Sequence, residues 1–301
     1  MTLGTHILHT QWTQAQGRAR DFLQLTKPRV VLLVLTTVLA GFYLGSQGGM
    51  DRFLLVQTLI GAALAAGGTV AVNQYLEREV DGRMKRTRLR PLPAGRMKPA
   101  EALAFGVTIT VGGLIYLALM VNGLSALVTA ATVIGYIFVY TPLKQKTSLC
   151  SVAGAVPGAL PPVTGWVAAR GELGLEASVL FAILFLWQFP HSLSIAWIYR
   201  DDYARAGIRL LPVVEQDGRS TGRQVVGNCL ALIAVGILPA LIGLSGPVYF
   251  MAALVLGVAF LGCGIGLAVS RSTTAARRLL FASLIYLPVL FLFMTLDKVP
   301  T

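Results

Sequence analysis

Long apolar runs recur along the chain and are separated by short polar connections. Each run has about 17–25 residues, the length that an α-helix needs to cross a bilayer. The runs occupy residues 28–45, 54–73, 103–121, 124–141, 149–169, 177–199, 225–242, 247–268 and 279–296. The pattern predicts an all-α integral membrane protein with nine transmembrane helices.

The composition agrees with this prediction. Of the 301 residues, 55% are hydrophobic and 13% are charged, whereas a soluble domain carries about 25% charged residues. We therefore expect one polytopic membrane domain over residues 1–301, beginning with a polar segment at 1–21. No small-residue cleavage site follows a short apolar core near the N-terminus, so the first helix is expected to be retained. The three cysteines lie far apart and predict neither a disulfide framework nor a thiolate metal site.

The positive charges predict the orientation of the bundle. With nine spans, all but three of the 25 Lys and Arg residues fall at the end of the bundle where the N-terminus lies. The exceptions are Arg52, Arg170 and Lys298. Because Lys and Arg are enriched in cytoplasmic loops, we expect a cytoplasmic N-terminus and an outside C-terminus, in a bacterial inner membrane. Charges in short loops between spans do not favour nucleic-acid binding.

Candidate chemistry begins where the second span ends. Asn73, Glu77 and Asp81 are spaced i, i+4 and i+8, so a continuing helix would place them on one face over about 12 Å. Mg²⁺ binds oxygen ligands, commonly one or two carboxylates together with phosphate oxygens. The three residues are therefore a candidate catalytic metal site.

Basic residues follow at once. Lys85, Arg86 and Arg90 could bind an anionic group held by such a metal. The alternative is a solvated helix end, in which the acids at 77, 79 and 81 pair with neighbouring cations at 78, 83 and 85. The cluster lies at the membrane surface of an otherwise apolar bundle, and this position favours a functional site over a solvated helix end.

A second acidic and basic cluster follows the sixth span. Asp201 and Asp202 lie beside Arg200, and the two clusters together could hold two metal ions and one diphosphate. His191, inside the same span, is an ionisable residue within the membrane and therefore a candidate functional residue. Its alternative role is a hydrogen-bonded histidine exposed by the preceding Pro190, which breaks the helix ladder.

These segments resemble the UbiA-type intramembrane prenyltransferases, and within them the heme O synthase branch. The motifs that carry the resemblance lie at 73–95, 140–147, 154–166 and 187–213, and the resemblance runs from about residue 22 to 295. It implies a bundle around a central cavity and Mg²⁺-dependent transfer of a farnesyl group from farnesyl diphosphate to a vinyl group of heme b.

The resemblance also implies roles for individual residues. Asn73, Glu77, Asp81, Asp201 and Asp202 would be the catalytic metal ligands. Diphosphate binding would fall to the basic residues Lys85, Arg86, Arg90, Arg200 and Lys144. Heme contact would fall to His191, Tyr140 and Tyr199.

This chain departs from the superfamily pattern at three places. Glu77 stands where Asp is common, and Tyr199 and Tyr203 stand where a second pair of aspartates is expected. Cys150 stands where an Asn is expected. The second departure puts a full second metal site in doubt. A break in the fifth span at Pro161-Pro162 is also expected, since broken helices occur where backbone lines a cavity.

Other functions stay open at this point. An aromatic (hydroxybenzoate-like) polyprenyltransferase would use the same metal site with another acceptor. A secondary transporter would place its site near the midplane, and a heme chaperone would leave the diphosphate motif without a role. A downstream heme-modifying enzyme or terminal oxidase is an expected partner beside the lipid bilayer.

Overall fold

Nine long apolar helices make up most of the computed structural model, which describes residues 17–215 and 217–300. The helices, named α1 to α9 in chain order, are Pro28–Gly45, Arg52–Leu76, Pro99–Met120, Gly123–Leu143, Cys150–Arg170, Leu175–Ile198, Arg219–Leu241, Pro247–Ser270 and Thr273–Leu296. Each is long and apolar enough to cross a membrane, and the nine predicted spans are confirmed. Most of the predicted segment 1–21 lies outside the described residues.

Proline residues and polar caps set where several helices begin. Pro28, Pro99 and Pro247 occupy the first turns of α1, α3 and α8, where a missing N–H costs nothing. The side chains of Asp51 and Asn122 accept backbone N–H groups at the starts of α2 and α4. Hydropathy placed α7 and α9 six residues too late, at 225 and 279 rather than 219 and 273, because their first turns are polar.

Consecutive helices are joined by connections at alternating ends of the bundle. One end carries the connections 77–98, 144–149, 199–218 and 271–272. The chain also enters α1 at this end, which is called the N-terminal face below. Residues 17–26 are helical, and Asp21 on this segment pairs with Arg96 at 3.0 Å, which fixes the segment to the 77–98 connection.

Five helices are interrupted near their ends or centres, and in α7 the interruption is at Ile237, before the last turn Leu238–Leu241. α2 ends at Leu76 and is followed, after Glu77, by a short helix at Arg78–Arg83. α6 ends at Ile198 in the same way and is followed by a short helix at Arg200–Arg205. α4 contains a π-helical turn at Gly135–Tyr140, just before its last residues Thr141–Leu143, a deviation that is common at functional sites.

The remaining interruption divides α5 into Cys150–Ala159 and Pro161–Arg170. This confirms the break predicted at Pro161-Pro162.

Small residues allow close helix packing on one side of the bundle. A Cβ added to Gly41 of α1 would overlap the carbonyl oxygen of Pro162 in α5, and one added to Gly165 of α5 would overlap the carbonyl oxygen of Val38 in α1. Backbones that touch in this way are typical of membrane helix pairs with small residues at the interface. The main hydrophobic core joins residues of α5 to α9, among them Trp166, Leu180, Tyr249 and Leu279, to Ala40 and Leu44 of α1.

Candidate active site

A polar pocket of about 140 Å³ opens at the N-terminal face. Its walls come from the residue preceding α1, the end of α2 with the connection that follows, the end of α4 and the segment after α6. The lining residues are Lys27, Asn73, Glu77, Asp81, Met84, Arg86, Arg90, Tyr136, Tyr140, Lys144, Tyr203, Ile208 and Leu210. Acidic and basic side chains from distant parts of the sequence therefore face one small volume.

The two acids of the pocket each pair with a cation, one from the same connection and one from the residue after α4. Asp81 is 1% exposed, and its Oδ2 accepts a hydrogen bond from Arg90 Nη1 at 2.6 Å. Glu77 Oε1 accepts from Lys144 Nζ at 2.8 Å. Neither acid makes the local ion pair of a solvated helix end; Glu79, which does, is exposed and pairs with Arg78 at 3.7 Å.

The helix break at Glu77 preserves the spacing that sequence analysis required. Glu77 N donates to Asn73 O at 2.9 Å, and Asp81 N donates to Glu77 O at 2.7 Å. The i→i−4 ladder thus runs through the break, although Glu77 itself leaves helical geometry with φ −93° and ψ 6°. The three side chains remain on one side and line the same pocket.

Asn73 is oriented by a hydroxyl group behind it. Thr141 Oγ1 donates its single hydrogen to Tyr136 O at 2.8 Å, so it can only accept the hydrogen bond from Asn73 Nδ2, at 3.0 Å. The amide nitrogen is therefore turned away and the Asn73 Oδ1 atom is left for a cation.

One oxygen of each pocket acid is also free. Among the described residues, Glu77 Oε2, Asp81 Oδ1 and Asn73 Oδ1 have no hydrogen-bond partner. Two carboxylate oxygens and one amide oxygen fit the ligand preferences of Mg²⁺. No three Asp, Glu, His or Cys side chains cluster closely enough to hold a metal in the described part of the chain, so a cation here would need oxygens from its substrate as well.

Lys27 is a pocket residue that sequence reasoning missed. It caps the start of α1 with φ 45° and ψ 68°, a left-handed conformation that is uncommon outside glycine and often marks a functional constraint. Burial, helped by the nearby Arg90, lowers the pKa of Lys27 to about 8, against the opposing effect of Asp81 and Glu77. In the sequence, a lysine at the edge of a span looks like an ordinary membrane anchor, so only its backbone and pocket position distinguish it.

Lys144 lies deep in the same pocket, with 14% of its side chain exposed. Its ammonium group is 4.3 Å from the centre of the Tyr140 ring. Burial disfavours the charged form, but the adjacent Tyr140 and Glu77 outweigh burial, and the pKa of Lys144 lies well above its ordinary value. Lys144 is therefore a permanent cation.

Arg86 is held at the pocket rim by two tyrosines. Its Nη2 donates to Tyr203 Oη at 2.8 Å, and its guanidinium lies 4.9 Å from the Tyr203 ring centre and 5.5 Å from that of Tyr199. A guanidinium between aromatic faces loses little conformational freedom when it binds an anion.

Four of the predicted metal and diphosphate residues are not brought to the pocket. Asp201 is exposed and has a loose contact to Arg200 at 3.9 Å. Asp202 is buried, but it bonds Arg205 and the backbone N–H of Lys85. The Lys85 and Arg200 side chains are exposed and do not line the pocket. The physical reason is helix geometry: after the break at Tyr199, the pocket-facing position of the short helix is Tyr203, so the adjacent acids point elsewhere.

An apolar cavity of about 1080 Å³ adjoins the polar pocket. Most of its walls come from α1, α6 and α9, and it shares Tyr136, Tyr140, Tyr203 and Leu210 with the polar pocket. The volume is at the upper end of the range for small-molecule sites. The cavity is also lined by His191, and Tyr140 lines both chambers, as predicted for heme contacts. Tyr199, the third predicted heme contact, lines neither chamber.

Comparison with known proteins places this architecture in a family. The protein-family model for the UbiA prenyltransferase family matches residues 34–286. The chain is 48% identical over 288 residues to the protoheme IX farnesyltransferase of Solibacter usitatus, covering 93% of this chain and 99% of that one. It is 47% identical to the protein of the same name from Koribacter versatilis, with 93% of each chain covered.

Solved structures share the fold at low sequence identity. A structure of digeranylgeranylglyceryl phosphate synthase has a TM-score of 0.79 and 14% identity, covering 93% of this chain and 98% of that one. A UbiA homologue from Archaeoglobus fulgidus bound to GPP and Mg²⁺ has a TM-score of 0.67 and 16% identity, covering 91% and 99%. At these identities the likeness establishes the nine-helix fold alone.

Proposed function

The chain belongs to the UbiA prenyltransferase family, and we propose that it transfers a farnesyl group from farnesyl diphosphate to a vinyl group of protoheme IX. The observation that carries this proposal is the junction of a small polar pocket with a large apolar cavity. One chamber suits a diphosphate, and the other suits an isoprenoid chain and a porphyrin. Relatives of this length and similarity that bear the name protoheme IX farnesyltransferase support the choice of acceptor.

The pocket supplies ligands for one metal ion on one side. Asn73 Oδ1, Glu77 Oε2 and Asp81 Oδ1 would hold Mg²⁺, with further oxygens from the diphosphate. When bound, Mg²⁺ stabilises the negative charge that develops on the leaving diphosphate. Asp201 and Asp202 are not required for this arrangement, since neither lines the pocket.

Four cations surround the two carboxylates and would bind the diphosphate directly. They are Lys27, Arg86, Arg90 and Lys144. The excess of positive charge matches a multiply charged anion without a second metal ion. Fixed cations that face the developing charge lower the barrier because they need no reorganisation during bond breaking.

The reaction then balances as follows. The C1–O bond of farnesyl diphosphate breaks, and the electron pair leaves with the diphosphate. The vinyl group attacks C1 to form a carbon–carbon bond, and a water molecule adds to the resulting cation and loses a proton. The products are hydroxyethylfarnesyl heme and diphosphate, which takes up the proton.

The tyrosines between the two chambers have a direct role in this account. Tyr136 and Tyr140 form a tilted pair with ring centres 5.4 Å apart. They lie at the boundary between the chambers, where C1 of farnesyl diphosphate would be bound. Their rings can stabilise an allylic cation, while the apolar cavity beyond them keeps water away until the new bond has formed.

The decisive experiment is a product assay on the purified chain in detergent. Hemin, farnesyl diphosphate and Mg²⁺ are incubated with the protein, and the porphyrins are analysed by mass spectrometry. We expect a heme product heavier by one farnesyl group and one hydroxyl group, formed only without EDTA. Prenylation of a hydroxybenzoate acceptor instead of heme would reject the proposed acceptor while retaining prenyl transfer.

We further propose that the N-terminal face is cytoplasmic, in a bacterial inner membrane. The described connections at that face hold most of the Lys and Arg residues, as the positive-inside rule requires. The pocket would then open to cytoplasmic diphosphate, and the product would pass within the bilayer to a downstream heme-modifying enzyme or terminal oxidase.

A further inference from the structure

The side chain of His191 is held from behind by one residue of α9. His191 Nδ1 lies 2.8 Å from Ser283 Oγ. Ser283 is fully buried and does not line the cavity, whereas His191 does. The serine therefore contacts the imidazole from the side opposite to the substrate chamber.

The hydrogen-bond inventory of Ser283 assigns the tautomer of His191. A serine hydroxyl carries one hydrogen, and Ser283 Oγ lies 2.6 Å from Leu280 O, to which it donates. Toward His191 the hydroxyl can then only accept. The hydrogen of the neutral imidazole is consequently on Nδ1, and Nε2 carries the lone pair.

A tryptophan fixes the plane of the imidazole ring. The rings of Trp187 and His191 are stacked, with centres 4.7 Å apart and planes 19° from parallel. Trp187 Nε1 donates to the backbone carbonyl of Ser283 at 3.0 Å. Both rings of α6 are thus fixed to the same residue, and the imidazole has little freedom to rotate or to exchange tautomers.

The other ring nitrogen is left for a ligand. Among the described residues, Nε2 of His191 has no hydrogen-bond partner. The atom is also accessible, since it is absent from the set of fully buried polar atoms without a partner. The surrounding wall includes Leu184, Ile195 and Leu287, so the nitrogen is a Lewis base in an apolar chamber. Such a group costs free energy unless a ligand occupies it.

We propose that Ser283 positions His191 so that Nε2 binds the iron of the heme substrate as an axial ligand. This inference rests on the proposed heme acceptor. A ligating histidine in metal sites commonly donates its other N–H to an oxygen, which fixes the ring and raises its basicity. Ser283 is a positioning residue in this arrangement, because it acts on the iron through His191.

The test measures iron ligation rather than turnover. Hemin is bound to the full-length protein without farnesyl diphosphate, and the absorption spectrum and the iron–histidine stretching frequency of the reduced complex are recorded. Wild type should show histidine ligation. His191→Ala should lose it, and added imidazole should restore it. Ser283→Ala should lower the stretching frequency and weaken heme binding by roughly 10- to 100-fold.

Two matched variants separate positioning from a structural effect. Ser283→Thr retains the hydroxyl and should keep the wild-type stretching frequency. Thr58→Val removes another fully buried hydroxyl that bonds within its own helix, on α2 and outside the cavity, and should also leave the spectrum unchanged. If Ser283→Ala gives a poorly folded protein, the imidazole rescue of His191→Ala still tests the ligand.

Each outcome bears on the inference independently of the reaction. An unchanged spectrum in His191→Ala, or a wild-type stretching frequency in well-folded Ser283→Ala, would overturn it even if the product assay succeeds. Histidine ligation with the expected response to the variants would support it even if no farnesylated heme forms, in which case the proposed transfer reaction fails alone.

Discussion

Asp81 combines near-complete burial with a strong ion pair and one free oxygen. Its pairing with Arg90 stabilises the carboxylate in place, while Oδ1 remains available. A buried carboxylate is costly unless it is paired, and here a single cation leaves room for a second positive partner. The residue is therefore suited to a metal ion that arrives with the substrate.

Asp81→Asn should reduce turnover by about 100-fold or more while the protein still folds, since it removes a charged metal ligand and keeps the side-chain shape. The matched variant is Asp201→Asn, on an acid that is exposed and outside the pocket, which should retain activity near that of wild type. Rates are measured with the heme product assay. Equal loss in both variants would instead support the sequence-based role of Asp201 as a metal ligand.

Lys27 predicts a pH dependence of anion binding. Its pKa of about 8 in the free protein means that it loses its proton as the pH rises through 8, whereas an anion binds best to the ammonium form. The groups that influence it are Arg90, Asp81, Glu77 and Lys144. Affinity for inorganic diphosphate, measured by calorimetry in EDTA, should therefore fall by up to about tenfold per pH unit above pH 8.

Lys27→Arg provides the control for that measurement, because arginine stays protonated throughout this range. Titration of the diphosphate itself affects both proteins equally, so it cancels when the wild-type affinity is divided by the variant affinity. A ratio that stays constant from pH 7 to 9.5 would show that Lys27 does not bind the anion.

At the scale of elements, two similar helix breaks form the two sides of the pocket entrance. α2 and α6 are followed by single residues of similar backbone conformation, Glu77 and Tyr199. A six-residue helix comes after each. The two short helices meet through a small apolar cluster that includes Val80, Met84 and Ala206. One side of this entrance presents acids and the other presents tyrosines, so metal binding is expected on one side only.

α1 packs closely against α5 and this contact positions the cavity wall. A methyl group added at the contact should therefore destabilise the protein, whereas one added elsewhere on the bundle should not. Gly41→Ala should destabilise the protein by about 1–3 kcal/mol, the usual cost of overpacking, because its Cβ meets backbone of Pro162 that cannot rotate away. Gly112→Ala is the control, since no atom lies within 4 Å of that Cβ, and it should be neutral or mildly stabilising. Thermal unfolding in detergent compares them; equal midpoints would contradict the packing account.

At the scale of the molecule, the charge distribution predicts how the bundle sits in the membrane. Alkaline phosphatase fused after the C-terminus should be active in intact bacteria, because that end is expected outside. The same reporter fused at residue 146, in the connection between α4 and α5, should be inactive. The reverse pattern would place the polar pocket on the outer side and remove its access to cytoplasmic diphosphate.

The number of spans, the break in α5 and a candidate site at Asn73, Glu77 and Asp81 could all be predicted from the sequence. These features depend on local properties: the length of an apolar run, the missing N–H of proline and the 3.6-residue period of a helix. Each can be read within a window of a few residues. The family resemblance added the acceptor and the donor.

Which charges face one another depends on the tertiary structure. It selected Lys27, Lys144 and Arg90 as pocket cations, left Asp201 outside, and joined His191 to Ser283 across 92 positions of sequence. These outcomes depend on helix rotation and on backbone conformations such as the left-handed turn at Lys27. A linear pattern contains neither, because rotation and contact between distant helices are fixed by packing of the whole bundle.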